Sequence, residues 1–176
     1  IIPTHHYERA HHWFSEHGTP QEQSLILLYL GRSYAEDGEY NHAMTTYTKG
    51  MNIAEKYSLF DISGLINSYM GDLYESKGMI ELAIDKYKTA ADLFLKDSNK
   101  KSYACALRDC GRSYARIDSI EKAIIILLQA DSIANEIDNP NVKASIANTI
   151  AGTYLLSSNY NEAKSFYNKA LLFSKN

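Results

Sequence analysis

Three arginines, Arg108, Arg112 and Arg116, follow one another at four-residue steps. On a helix that spacing lays them in a single stripe. A guanidinium can hold a carboxylate or phosphate through two parallel hydrogen bonds, so the stripe suits anion recognition. A second set with ligand chemistry is N-terminal: His5, His6, His11, His12 and His17. No two of these are four apart, the spacing that presents two imidazoles to one metal from one helix. His5 and His12 share a face but stand roughly 10 Å apart along the axis. The only carboxylates close by in sequence are Glu8 and Glu16. The expectation is exposed helix surface and no metal. Cys105 and Cys110 are five apart, on different faces of one helix, and read as small core-filling thiols rather than a redox pair. No Gly-rich phosphate loop, G-x-S-x-G elbow or H-E-x-x-H is present. The chain therefore reads as non-catalytic and free of cofactors.

The elements that position these residues are set by a repeat. Gly31-Arg32-Ser33-Tyr34-Ala35 recurs 80 residues later as Gly111-Arg112-Ser113-Tyr114-Ala115. Met70-Gly71-Asp72-Leu73-Tyr74 lies halfway, and Ile150-Ala151-Gly152-Thr153-Tyr154 follows, so tyrosines fall at 34, 74, 114 and 154. A fixed step of this size marks a repeat architecture. Apolar residues at helical spacing predict a helix over 4–17 and helix–turn–helix units over 24–56, 61–96, 100–136 and 140–174. Thr19 and Glu22 form a capping box with Pro20 at the first helical position, and Asn139-Pro140 starts the seventh helix. No stretch alternates as a half-buried strand does, so the fold class is all-α with about nine helices. Each second helix carries Ala43, Ala83, Ala123 or Ala163, then Tyr47, Tyr87, Leu127 or Tyr167 four residues on. Small residues let axes approach and large ones fill the groove between them, so the recurring tyrosines read as core. Arg32, Asp72 and Arg112 hold equivalent positions and offer a side-by-side charge ladder, the alternative to an anion site.

Leu30-Gly31-x-x-Tyr34 followed by Ala43-x-x-x-Tyr47 resembles the tetratricopeptide repeat (TPR), and the likeness recurs in all four units. The usual Trp position holds Leu27, Asn67, Leu107 and Ala147, and the usual proline is missing at Glu55, Leu95, Asn135 and Lys175. The surplus over the common period of roughly 34 residues falls at Tyr57–Ser63, Asp97–Tyr103 and Ile137–Lys143. It is expected to lengthen the connections or the next first helix. The resemblance implies one right-handed α-solenoid segment over 1–176, with 4–17 as the second helix of a preceding unit. It also implies a concave groove lined by first helices, which places Tyr29, Arg32, Ser68, Tyr69, Asp72, Arg108, Asp109, Arg112, Arg116, Asn148 and Thr149 on or near the binding face. Tyr29 and Tyr69 are the aromatic contacts expected there. The positions of a C-terminal carboxylate clamp hold Leu28, Arg32, Tyr69, Cys105 and Asp109, which argues against a chaperone-tail clamp. Similar bacterial chains form sensory or scaffolding parts of longer regulators, cytoplasmic or periplasmic. The alternative is an architectural segment that spaces or dimerises other domains.

Composition narrows the partners. The 176 residues carry a net charge of −3 and a sequence pI near 6.1, no reason to expect nucleic acid. The longest purely apolar run, Ala123 to Leu128, is far short of a membrane span. The start, Ile1-Ile2-Pro3-Thr4, has neither an initiator Met nor signal-peptide character and reads as part of a longer chain. The expected partner is a protein or peptide, with a homodimer through the last helix as a further possibility, because Leu171, Leu172 and Phe173 lack a covering helix.

Overall fold

A computed structural model describes residues 3–174; Lys175, one of the positions compared with the repeat's usual proline, lies outside them. Nine helices run in order among the described residues: α1 (Thr4–His17), α2 (Pro20–Glu36), α3 (Tyr40–Lys56), α4 (Phe60–Ser76), α5 (Ile80–Lys96), α6 (Lys100–Arg116), α7 (Ile120–Asn135), α8 (Pro140–Leu156) and α9 (Tyr160–Ser174). The Thr19–Glu22 capping box closes the start of α2, and the Asn99 and Asn139 side chains cap α6 and α8. Helices α2 to α6 and α8 have 17 residues each. The surplus over the common repeat is therefore in the helices, and the connections stay short.

One turn is used six times. Gly38, Ser58, Gly78, Ser98, Asp118 and Ser158 all have positive φ, between 54° and 81°. At each, the residue's own N–H and the next one's reach back to the helix end: Gly38 N–H to the Ala35 carbonyl at 3.1 Å and Glu39 N–H to Tyr34 at 2.8 Å. The same pair of bonds recurs at Ser58–Leu59, Gly78–Met79, Ser98–Asn99, Asp118–Ser119 and Ser158–Asn159. This is the Schellman ending, in which a left-handed residue lets two N–H groups satisfy the last free carbonyls of the helix.

The hairpins are closed by a contact between a side chain and bare backbone. A Cβ placed on Gly31 would lie 2.5 Å from the Tyr47 ring, one on Gly71 2.6 Å from Tyr87, and one on Gly111 2.6 Å from Leu127. Tyr47, Tyr87 and Leu127 are fully buried, as are Ala43, Ala83 and Ala123 one turn earlier. The tyrosines at 34, 74, 114 and 154, by contrast, are only half-buried. Their rings line the seam between helices while their polar ends stay near water; the Tyr34 hydroxyl donates to Glu8 Oε1 at 2.6 Å. Core membership thus belongs to the second-helix rings and not to every periodic tyrosine.

Hairpins pack in sequence, α5 on α6 most extensively. First helices also approach each other, α2 on α4 and α6 on α8, whereas successive second helices do not. An array whose first helices crowd and whose second helices spread is curved, with the first helices inside. Beyond α9, Leu171 and Leu172 are 58% and 67% exposed.

Two glycines give opposite expectations under the same substitution. Gly71→Ala forces a methyl against Tyr87 and should cost about 1–3 kcal/mol. Gly152 has nothing within 4 Å of its added Cβ, so Gly152→Ala should gain up to about 1 kcal/mol from helix propensity. At the turns, Ser58→Gly, Ser98→Gly and Ser158→Gly should each add about 0.5–1 kcal/mol by relieving left-handed strain. Urea unfolding monitored by circular dichroism checks both sets.

Candidate functional site

On the inner side, the residues expected in the groove fall into two groups and several isolated positions. Arg32, Tyr69 and Asp72 line one recess of about 450 Å³ between α2 and α4, together with Glu36, Tyr40, Tyr47, Leu73 and Ser76. Arg32 pairs with Glu36 at 2.8 Å, and its guanidinium stands 5.7 Å from the centre of the Tyr69 ring. The Tyr69 ring is stacked in turn on Tyr47, at 6.3 Å and 15°.

The second group is an ion-pair network between α4 and α6. These two helices do not pack as closely as the first-helix pairs on either side, and charged side chains span the interval. Arg112 reaches Glu75 and Asp109, each at 2.9 Å, and Arg116 reaches Glu75 at 3.1 Å. Ser113 Oγ donates to Glu75 at 3.2 Å. Arg108 grips its neighbour Asp109 through two 3.0 Å hydrogen bonds and donates a third to Ser145 on α8. Tyr87 donates to Asp72 Oδ1 at 2.6 Å. All three guanidiniums of the arginine stripe are thus held by carboxylates of the same chain.

Arg32, Asp72 and Arg112 do not form a direct ladder among the described residues. Cross-helix bonds instead join residues 37 apart: Arg32 with Tyr69, Glu75 with Arg112, Arg108 with Ser145. Helical side chains lean toward the N-terminus, so contacts between neighbouring helices fall about one turn short of the full repeat. Glu75, absent from the sequence expectation, is the centre of the network. An acidic residue 37 before an arginine is the signal that would have found it. Glu36 was legible as the i+4 partner of Arg32.

The remaining positions stand apart. Tyr29 is exposed and stacked against Tyr7 of α1 at 6.4 Å. Ser68 is half-buried, Asn148 is exposed, and the Thr149 hydroxyl is turned onto the Ser145 carbonyl. No group of three or more metal-ligating side chains occurs among the described residues, and His17 stacks on Trp13 at 4.9 Å. Among the described residues no helix is long and apolar enough to cross a membrane.

Charge states follow from these contacts. Burial opposes ionisation of Glu75, but Arg112, Arg116 and Ser113 outweigh it and hold its pKa below the ordinary 4.5. Burial likewise disfavours the charge on Arg112, and Asp109 and Glu75 more than restore it. Asp72 is open to water on one side, yet the protein packed around it raises its pKa; the Tyr87 hydroxyl opposes the rise and Asp109 adds to it. Burial also pushes the Cys110 thiol up to about 11, which keeps it protonated and unreactive.

Because Glu75 is depressed in the fold, its stabilisation is complete above its unfolded pKa and is lost as pH falls through the folded value. Glu75→Gln should cost about 1–3 kcal/mol at pH 7, the range for a charge-assisted hydrogen-bonded group. The parent and variant should converge in unfolding free energy below pH 4. A constant difference from pH 7 to pH 3 would show that Glu75 acts by packing alone.

Residues 144–176, covering most of α8 and α9, match the tetratricopeptide repeat family. A search of curated proteins finds no match to the sequence. Among solved structures, BtubC (BKLC) from P. vanneervenii superposes with a TM-score of 0.79 at 16% identity, over 89% of this chain and 65% of that one. The tetratricopeptide-repeat-sensor STAND protein from Pyrococcus horikoshii gives 0.78 at 21% identity, over 96% of this chain and 26% of that one. A putative kinesin light chain from Podosopora anserina, with nearly identical TPR-like repeats, gives 0.70 at 13% identity, over 99% and 97%. The chain therefore spans less than two thirds of the first of these and about a quarter of the second. Arrays of this kind are typically non-catalytic scaffolds, a fold consistent with a protein-interaction role. The family match over 144–176 and the solenoid fold make this chain a tetratricopeptide repeat array.

Proposed function

We propose that this chain is a non-catalytic scaffold that binds a protein or peptide along the concave face formed by α2, α4, α6 and α8. The observation that carries the reading is the recess between α2 and α4. It is a polar and aromatic hollow of ligand size on the inner side of the curve, whose charged rim is not used to hold the fold together. Tyr29, Ser68, Asn148 and Thr149 extend the same face, while Arg108, Asp109, Arg112 and Arg116 set its shape at the centre. Likeness to a protein whose repeats are described as a sensor supports placing the segment as the interaction or sensory part of a larger regulatory protein. Neither nucleic acid nor a cofactor has a part in this reading.

A second reading, an architectural segment that dimerises through its last helices, is favoured by one observation. Leu155, Leu156, Tyr160, Leu171 and Leu172 are all exposed around α8 and α9. Surface of that kind, gathered at one end, marks an association site. Sedimentation that stays monomeric across a hundredfold concentration range would remove this reading.

The concave-face reading is tested with peptides selected from a random displayed library on the parent chain. A Tyr29→Ala, Arg32→Ala, Asn148→Ala variant alters three exposed inner positions. A Thr45→Ala, Asp85→Ala, Asn168→Ala variant alters three exposed positions on second helices. The selected peptides should lose at least tenfold in affinity on the first variant and keep it on the second. The reverse pattern, or equal affinity on both, would overturn the assignment of the binding face.

A further inference from the structure

The repeat supplies its own comparison for the recess between α2 and α4. Forty residues on, the equivalent place between α4 and α6 is closed by Glu75 and Arg116, 3.1 Å apart. The first of these positions is Ala35 in the earlier unit and the second is Ser76. The recess exists because both members of a carboxylate–guanidinium pair are cut back to small side chains there. What remains on the wall is Asp72, which occupies the position of Arg112 and so reverses the charge found one unit later.

Asp72 differs from the other two inner-face carboxylates of α4 and α6. Asp109 and Glu75 each hold guanidiniums within 3.1 Å. Asp72 forms no salt bridge among the described residues and has one hydrogen bond, from Tyr87 to Oδ1. Of the charged groups lining the recess, Arg32 is already paired with Glu36, which leaves the carboxylate of Asp72 in excess. Lys77 stands outside the lining, with Nζ 3.3 Å from the centre of the Tyr40 ring. The other walls are Tyr40, Tyr47, Tyr69 and Leu73. Low-polarity walls strengthen the attraction between a carboxylate and an incoming cation. Aromatic rings add to the attraction for a guanidinium or ammonium.

We propose that this recess takes the cationic side chain, arginine or lysine, of a peptide lying along the first helices, with Asp72 as its counter-ion. The proposal rests on the concave-face reading and names the chemistry of one subsite within it. The bound cation replaces the guanidinium that the next unit supplies from its own chain. The raised pKa of Asp72 points the same way, since crowding by the protein and by Asp109 is what an added cation would offset.

The test is an NMR titration of the ¹⁵N-labelled chain with two probes, N-acetyl-arginine amide and the uncharged isostere N-acetyl-citrulline amide. The arginine probe should shift the amide signals of Tyr69, Asp72 and Ser76 and saturate, with citrulline binding at least fivefold more weakly. Asp72→Asn should remove that difference. In a second variant, Ala35→Glu with Ser76→Arg rebuilds the closing pair and should lower arginine binding at least tenfold while the remaining spectrum keeps its dispersion. Equal response to both probes, shifts elsewhere on the chain, or no effect of Asp72→Asn would overturn the proposal. Its failure is separable from that of the binding-face reading. Library peptides that bind the inner face without a basic residue, indifferent to Asp72→Asn, would sink this inference alone. An arginine probe seated at Asp72 while selected peptides bind the outer face would sink the other.

Discussion

The array depends on one kind of contact, a large side chain set directly on helix backbone. Tyr47 over Gly31, Tyr87 over Gly71 and Leu127 over Gly111 leave no room for even a methyl group. Close approach of two axes is what allows a pair of helices to bury its facing sides, since neither helix has a core of its own. Stacked pairs then share a continuous interior. Everything on the inner face inherits its position from this contact, because the ring that fills each hairpin also fixes the distance between one first helix and the next.

Tyr47 and Tyr87 show how the same contact serves the surface. The Tyr47 ring is buried against Gly31 while its plane backs Tyr69, so the aromatic wall of the recess is an extension of the core. Tyr87 is buried against Gly71, and its hydroxyl emerges at Asp72. Burial first and the neighbouring Asp72 next raise the Tyr87 pKa, so the phenol remains a donor. A recess built on such rings is pre-formed, and a ligand entering it meets little cost of ordering.

Much of the fold was legible in the sequence because periodicity reports directly on packing. Gly31, Gly71 and Gly111 announced the hairpin contact, and Thr19, Glu22 and Pro140 announced helix starts. Two features were not. Ser58, Ser98 and Ser158 take the left-handed conformation that glycine takes at 38 and 78, and serine carries no sign of it. The second is register. Alignment at 40 residues identifies equivalent positions, but touching positions are 37 apart, so Glu75 was hidden while Arg112 was visible. The recess was harder still to read, since its cause is a pair of small residues, Ala35 and Ser76, that attract notice only beside Glu75 and Arg116.

The recurrence of one turn about every 20 residues has a consequence for folding. Turns inside hairpins and turns between them have nearly the same length and the same ending, so local chain geometry does not distinguish a first helix from a second. A partly folded chain could pair α3 with α4, or α5 with α6, as readily as the native partners if turns alone decided. The choice is left to the asymmetry of the interfaces, with glycine on one helix and a ring on the other. Replacing those glycines would therefore do more than loosen the native state: it would narrow the energy gap to a misregistered array shifted by one helix.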